Sequence, residues 1–123
     1  MRVSREEFEG LVEEALEQLP VEFKSALDNV AVMVVEEPSS EDLEEVGIEP
    51  EDPDRDELFG LYQGVPLPER DSFYSALPDR VLIFRGPILR ACETRRQVIR
   101  EVRETVQHEL GHYFGLDEDE LPF

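Results

Sequence analysis

Cysteine and long apolar runs are both scarce in this chain. Cys92 is the only cysteine in 123 residues, so the disulfide framework that many small secreted domains use is excluded. Nowhere do about 18 apolar residues run together, and the sequence begins with the charged segment MRVSREEFEG. We therefore expect neither a membrane span nor a signal peptide, and we expect a cytoplasmic location.

Basic residues are few as well. Twelve lysines and arginines stand against 31 acids, which gives a formal net charge of -19. A surface of this charge repels a phosphate backbone, so nucleic acid is not an expected partner. Apolar residues still make up 40% of the chain and fall in periodic blocks, which predicts a folded protein. The length fits one domain over residues 1–123.

The residue pattern predicts a long helix near each end of the chain. Ser4 and Glu7 match a capping box, and apolar residues then recur at helical spacing until Pro20. These residues are Phe8, Leu11, Val12, Ala15, Leu16 and Leu19. The final helix is predicted to begin near Thr94 and to end at Gly115. The stripe of this helix that should be buried consists of Val98, Ile99, Val102, Val106, Leu110 and Tyr113.

Three segments have the composition of strands: VAVMVVEE (30–37), LFGLYQG (58–64) and DRVLIFRG (79–86). The first is nearly all apolar, so we expect it to be covered on both faces. After it, SSEDLEEVG predicts a short capped helix ended by Gly47, and an acidic loop follows over 49–57. The predicted fold class is α+β, with a small mixed sheet of about three strands packed against helices and the last long helix near the C-terminus.

The only two histidines, His108 and His112, lie in this last helix and are four residues apart. On a helix, positions four apart differ by about 40°, so both imidazoles project from one face. Glu109 lies about 100° from His108, beside the pair, where it can contact a water on a shared metal. Random placement gives this H-E-x-x-H pattern roughly 0.3% of the time. The pattern predicts a zinc site with Glu109 as general base; the alternative is a solvated histidine pair.

A catalytic zinc needs a third protein ligand. We do not expect the zincin arrangement that takes a glutamate from a helix some twenty or more residues further on, because eleven residues follow His112 in this sequence. Another class uses H-E-x-x-H-x-x-G-x-x-H/D, in which a glycine reverses the chain toward the metal. Gly115 is in the right place and Glu118 occupies the final position, with Asp117 and Asp119 as alternates. The methionine turn of that class is absent, since no methionine follows the histidines.

Three blocks of the sequence are similar to one family. LFGLYQGVPLPER, LPDRVLIFRGPI and VRETVQHELGHYFGLDEDEL resemble the bacterial minimal zincin-like metallopeptidases, and they cover most of residues 58–121. The resemblance implies a minimal zincin-like fold with a Zn²⁺ site of two histidines and a carboxylate. It also implies that the protein is a hydrolase acting on a peptide or protein substrate, and it names no particular substrate. Family members often carry aspartate where this chain has Glu118, so Asp117 and Asp119 stay open as ligands.

The peptidase interpretation brings expectations for other parts of the site. Glu109 would take a proton from the attacking water and deliver it to the leaving amine. An extended substrate would pair with an exposed strand edge, for which the segment 79–86 is the candidate. Tyr62, Tyr74 and Tyr113 are available for oxyanion stabilisation, although packing with a bonded hydroxyl is the ordinary role of such residues.

Four other interpretations compete for these residues. A three-histidine ribonuclease lacks its third histidine here and conflicts with the acidic charge. Cys92 is the possible nucleophile of a cysteine hydrolase, but a single buried thiol is the ordinary interpretation. The arginines from 85 to 103 suggest a basic patch, yet they alternate with Glu93, Glu101 and Glu104, so we expect a salt-bridged solvated face. The remaining alternative is a non-enzymatic protein that keeps the fold, and a metal, and works by binding a partner.

Overall fold

The structure is a computed structural model, and it describes residues 1–64 and 79–115. The helices are α1 (Arg5–Glu17), α2 (Val21–Ala26), α3 (Ser40–Glu45), α4 (Arg85–Ala91) and α5 (Arg95–Tyr113). The strands are β1 (Val30–Val35), β2 (Gly60–Gln63) and β3 (Asp79–Phe84), and a 3-10 turn spans Pro53–Glu57. This content confirms the predicted α+β class.

The three strands form one mixed sheet in the order β1-β3-β2. β1 runs parallel to β3, with Val30 opposite Asp79, and β2 runs antiparallel to it, with Tyr62 opposite Val81. In the central strand β3 every residue except Arg80 is buried. The expectation that β1 is covered on both faces is wrong, because Met33 is 45% exposed. An apolar run does not distinguish a covered central strand from an outer one.

The two long helices provide most of the core. The predicted apolar stripe of α1 is buried except for Leu16, which is half-buried. In the predicted stripe of α5, every residue is buried except Ile99, which is also half-buried. These stripes meet each other and the β3 side chains of Val81 and Ile83, which are fully buried. A separate small cluster of Leu61, Leu82 and Phe84 lies on the other face of the sheet. The fold therefore depends on burial of the helix stripes predicted from periodicity.

The helix caps follow local sequence. Ser39 with Asp42, and Thr94 with Gln97, form complete capping boxes at the starts of α3 and α5. At α1, Ser4 accepts a hydrogen bond from the backbone N–H of Glu7, but the Glu7 carboxylate pairs with an arginine of α5 instead of closing the box. The α1 capping box is therefore only half formed.

Helix α4 was not predicted, and all three strands are shorter than predicted. β3 ends at Phe84, and α4 starts at the next residue, inside the segment predicted as the third strand and well before the helix predicted from Thr94. Pro87 is the third residue of α4, and a proline in the first turn lacks only a hydrogen bond that this turn does not need. The Gly-Pro pair thus resembles a turn in the sequence although it lies inside a helix start.

Three of the arginines between 85 and 103, namely Arg85, Arg90 and Arg95, pair with acids of other elements and not with Glu93, Glu101 or Glu104. Arg85 donates to Glu36 at 2.8 Å, and Arg90 contacts Glu37 at 2.8 Å and Asp56 at 3.0 Å. The last contact ties α4 to the 3-10 turn, in a segment predicted to be loop. These pairs link α4 to the connections that precede it. The prediction of salt bridges was right, but the predicted partners on the same helix face were wrong.

Across residues 1–64 and 79–115, no helix is both long enough and apolar enough to cross a membrane. The longest, α5, has 19 residues and many charged side chains.

Gly60 is the point where the sheet and α5 approach most closely. A Cβ added there would lie 2.5 Å from Cγ2 of Thr105 and 2.8 Å from the carbonyl oxygen of Leu82. The backbone carbonyl cannot move aside cheaply, so β2 and α5 can pack at this distance only if residue 60 has no side chain.

We expect Gly60→Ala to lower the free energy of unfolding by roughly 1–3 kcal/mol, the usual cost of overpacking. Gly10→Ala is the matched control, since Gly10 lies in α1 and its added Cβ meets nothing within 4 Å. The control should gain roughly 0.5–1 kcal/mol from helix propensity. Urea unfolding of both variants measures the difference, and equal effects would contradict the close packing at Gly60.

Candidate metal centre

The two histidines lie in the last turns of α5, where the buried stripe gives way to an open cleft. Their ring centroids are 5.3 Å apart and their planes make an angle of 75°. Both side chains are half-buried. Val106 and Leu110, about 200° round the helix from His108 and so on its opposite face, are fully buried. The core therefore fixes how the helix is rotated, and that rotation turns His108 and His112 toward the cleft.

Glu109 completes a group that could hold a metal ion. One nitrogen from each histidine and one carboxylate oxygen of Glu109 all lie within 4.8 Å of one another. Two tetrahedral zinc bonds of 2.0–2.1 Å place their ligand atoms about 3.4 Å apart. Small rotations of the half-buried rings are enough to bring the two nitrogens to that distance. The two imidazoles are nitrogen donors that suit zinc, and the Glu109 carboxylate lies close enough to them to contact a water on such an ion. The residues present fit this ion.

Strand β2 holds the carboxylate of Glu109. The backbone N–H of Tyr62 donates to Oε1 of Glu109 at 2.8 Å. Phe59 pairs with Phe84 of β3, and backbone groups alternate in direction along an antiparallel strand. The N–H of Tyr62 therefore points away from β3 and toward α5, and the outer side of β2 lies beside the histidines.

The backbone of Tyr62 contacts Glu109, and its side chain is held by a buried acid. Its hydroxyl donates to Oδ2 of Asp79 at 2.7 Å, and Asp79 is 1% exposed. The Tyr62 ring also makes an edge contact with Tyr113, which is itself 3% exposed. Both tyrosines thus serve packing, with the Tyr62 hydroxyl bonded, and this agrees with the ordinary role expected for them. Tyr74, the third tyrosine considered, lies outside the described residues.

Two clefts meet at the His108–Glu109 pair. One, of about 340 Å³, extends toward the 3-10 turn and is lined by Glu57, Leu58, Phe59, Gly60, Glu104 and Thr105. The other, of about 540 Å³, extends past His112 toward Glu45 and Val46 at the end of α3. A further groove of about 550 Å³ between α1 and β1 contains neither histidine. The candidate centre therefore opens into a trough that runs in two directions along β2.

The strand proposed from the sequence as the substrate edge is the wrong one. β3 is hydrogen-bonded to β1 on one side and to β2 on the other, so its edges are occupied. Among the described residues β2 pairs only with β3, and β2 lines both clefts. The sequence could not order the strands, because strand order depends on long-range pairing.

The third-ligand candidates Asp117, Glu118 and Asp119 lie outside the described residues. What precedes them agrees with the predicted turn: α5 ends at Tyr113, and Gly115 has φ 77°. A left-handed residue at this point ends a helix and reverses the chain direction.

Cys92 does not have the properties of a nucleophile. It is 4% exposed and belongs to the main hydrophobic core. Burial raises the pKa of its thiol, and the nearby Glu101 carboxylate adds to this effect. Both influences favour the protonated thiol, which is the unreactive form. The residue is a structural thiol, as the ordinary interpretation had it.

Sequence reasoning missed three residues that shape the centre: Gly60, Asp79 and the backbone of Tyr62. A signal existed for the glycine, since an isolated glycine inside a strand pattern marks a close backbone approach. No comparable signal existed for Asp79, because its partner is 17 positions away in the sequence. The hydrogen bond from Tyr62 to Glu109 spans 47 positions and has no local signature.

Comparison with known proteins identifies a family and a similar solved structure. The model of the zincin-like metallopeptidase family matches residues 27–122. A conserved hypothetical protein from T. thermophilus is similar in structure, with a TM-score of 0.55 and 27% sequence identity. The alignment covers 91% of this chain and 94% of that one. No curated protein matches significantly. The family match spans most of the chain and includes the His108–Glu109–His112 group, so this chain belongs to the zincin-like metallopeptidase family.

Proposed function

We propose that the protein is a zinc-dependent peptidase. The observation that carries this proposal is the group of two imidazoles and one carboxylate within 4.8 Å, open to a trough beside an outer strand. Family membership supports the same class of chemistry. His108, His112 and one acid of the segment 117–119 would hold the ion, with Glu118 as the first choice and Asp117 and Asp119 as alternates.

Zinc bound there would supply Lewis-acid chemistry, acidifying a water and polarising the scissile carbonyl. Glu109 has the role of general base in this proposal. It takes the proton of the attacking water and passes it to the leaving nitrogen, so no net proton is consumed at the carboxylate. The hydrogen bond from the Tyr62 N–H favours one orientation of this carboxylate, and a fixed base needs less reorganisation during the reaction.

Strand β2 is the surface on which an extended peptide would lie. Adding a peptide to a strand edge aligns its main chain through backbone hydrogen bonds, whatever its side chains. Because the Tyr62 N–H is already bonded to Glu109, the peptide would pair with the other outward-pointing backbone groups of β2. A peptide on the outer side of β2 would pass directly over the His108–Glu109 pair, since β2 lines both clefts there. Three expectations remain predictions: the substrate is a peptide, neither nucleic acid nor a membrane is a partner, and the location is cytoplasmic. The alternative remains a non-enzymatic protein that works by binding a partner.

The metal should depend on both histidines. We expect the purified chain to bind one zinc ion, and His108→Ala or His112→Ala to lose most of that affinity, because each removes a direct ligand. Zinc at about a hundred times its Kd should stabilise the native chain by roughly 2.7 kcal/mol. Elemental analysis and thermal unfolding with and without zinc measure this, with Glu14→Gln on α1 as control. Zinc binding unchanged in both histidine variants would remove the proposed site.

Removing the proposed general base should abolish activity without removing the metal. Glu109→Gln keeps the side-chain shape and the hydrogen bond from Tyr62 but cannot accept the proton. We expect zinc content close to that of the parent and a loss of about 10²–10⁴ in turnover of a peptide substrate. Parallel measurement of bound zinc and kcat tests this. Equal losses of metal and activity would show instead that Glu109 is a ligand.

The third ligand should be Glu118, because the reversal at Gly115 most naturally presents the third residue after the glycine. Glu118→Ala should weaken zinc binding by at least about tenfold, and Asp117→Ala or Asp119→Ala should do less. Zinc titration of the three variants under one buffer condition gives the order. If Glu118→Ala binds like the parent while one of the other two variants fails, the ligand register is wrong even though the metal site is right.

A further inference from the structure

A buried acid lies at the start of the central strand, next to the strand that holds Glu109. Asp79 is 1% exposed, although an acid gives up favourable hydration when it is buried. The Tyr62 hydroxyl compensates by donating to Oδ2 of Asp79 at 2.7 Å. Replacing both partners of a buried hydrogen bond by apolar groups of the same shape is often nearly neutral for stability. Fold stability alone therefore does not account for an acid at this position.

The backbone at Gly64 confines the carboxyl group of Asp79 from a second direction. A Cβ added at Gly64 would lie 2.4 Å from both Cγ and Oδ1 of Asp79. Gly64 comes directly after β2, so the end of this strand passes against the acid. Asp79 thus has little room to change rotamer, and its Oδ2 atom offers the Tyr62 hydroxyl a fixed acceptor.

Tyr62 is held at both of its ends. At the backbone end its N–H donates to Oε1 of Glu109 at 2.8 Å, and at the other end its hydroxyl is bonded to Asp79. Between these ends the Tyr62 ring makes an edge contact with Tyr113, and the two ring centroids are 6.3 Å apart. A tyrosine side chain has only two torsions, so anchoring its hydroxyl restricts how far the backbone of the same residue can move.

The pairing of β2 with β3 does not hold the Tyr62 N–H. Tyr62 lies opposite Val81, and hydrogen-bonded and non-hydrogen-bonded pairs alternate along an antiparallel ladder. Because Phe59 bonds to Phe84, Leu61 makes the next bonded pair and Tyr62 falls in a non-bonded one. The ladder therefore holds the Leu61 N–H, whereas the direction of the Tyr62 N–H depends on contacts outside β3.

We infer that Asp79 is a positioning residue for Glu109, acting through the Tyr62 hydroxyl and the Tyr62 N–H. The two hydrogen bonds, of 2.7 and 2.8 Å, connect the buried acid to the carboxylate through a single tyrosine. They keep Oε1 of Glu109 in one place, so the carboxylate needs little reorganisation when it takes a proton. The effect on turnover rests on the proposed peptidase function, whereas the effect on the position of Glu109 does not.

Tyr62→Phe interrupts this connection, because it removes the hydroxyl and keeps the ring and the backbone N–H. We expect the amide hydrogen of residue 62 to exchange with solvent about tenfold faster, while that of Leu61 keeps its rate. We expect kcat to fall about tenfold, with KM and the zinc Kd close to those of the parent, because the loss concerns the base and neither the metal nor substrate binding.

Asp79→Asn tests the acceptor end of the same connection. Asparagine keeps an acceptor oxygen but forms a weaker hydrogen bond than a carboxylate does, so both effects should be smaller than in Tyr62→Phe. Adding Asp79→Asn to Tyr62→Phe should change the exchange rate of residue 62 no further, since the hydroxyl that links the two residues is already gone.

The measurements use the full chain, with and without zinc. Hydrogen exchange at residues 61 and 62 is followed by NMR on isotopically labelled parent and variants. The same proteins are titrated with zinc and assayed on a mixture of fluorogenic decapeptides. Val98→Ala is the control for general destabilisation, because Val98 is fully buried in α5 and lies about three turns before Glu109. This control should affect exchange at residues 61 and 62 alike.

An equal rise at residues 61 and 62 in Tyr62→Phe, as in the control, would overturn the inference, because it would show only general destabilisation. Unchanged exchange at residue 62 would overturn it as well. Faster exchange at residue 62 with kcat unchanged in an active chain would also count against it. Selective exchange at residue 62 in a chain that cleaves none of the peptides would support the positioning of Glu109 and contradict the peptidase proposal alone.

Discussion

The hydrogen bond from the Tyr62 N–H to Glu109 joins the sheet to the candidate centre, and much of the site depends on it. It forms only because β2 and α5 lie close together, and Gly60 permits that approach by leaving room for Thr105. One helical turn separates Thr105 from Glu109, so the spacing set at the glycine is carried directly to the carboxylate. A backbone donor has no rotamer freedom of its own, which makes it a firmer support for the carboxylate than a side chain would be.

Helix α5 serves the core and the site with different faces of one element. Val98, Val102 and Val106 are fully buried against the sheet and α1, and this burial decides the rotation of the whole helix. The histidines follow the same period four residues apart, so their direction is set by the same packing. The site therefore needs no separate scaffold: the residues that stabilise the fold also aim the imidazoles.

The parts of this arrangement that could be predicted are those with a local cause. The capped start of α5 at Thr94, its end near Gly115 and the shared face of His108 and His112 follow from spacing alone. The order of the strands does not, because an apolar segment such as β1 fits a central position as well as an outer one. The substrate edge was assigned to the wrong strand for this reason. The contact between Tyr62 and Glu109 is likewise fixed by tertiary packing, which sequence spacing does not encode.

The excess of acidic residues affects both the stability of the chain and its affinity for cations. With 31 acids and 12 basic residues, most acids have no cation available, and the arginines near α4 are concentrated on acids of adjacent connections. Self-repulsion in such a chain destabilises the compact state, and any bound cation reduces it. A divalent ion between His108 and His112 would therefore act on stability as well as on chemistry, since ion binding by the native state adds directly to its free energy of unfolding.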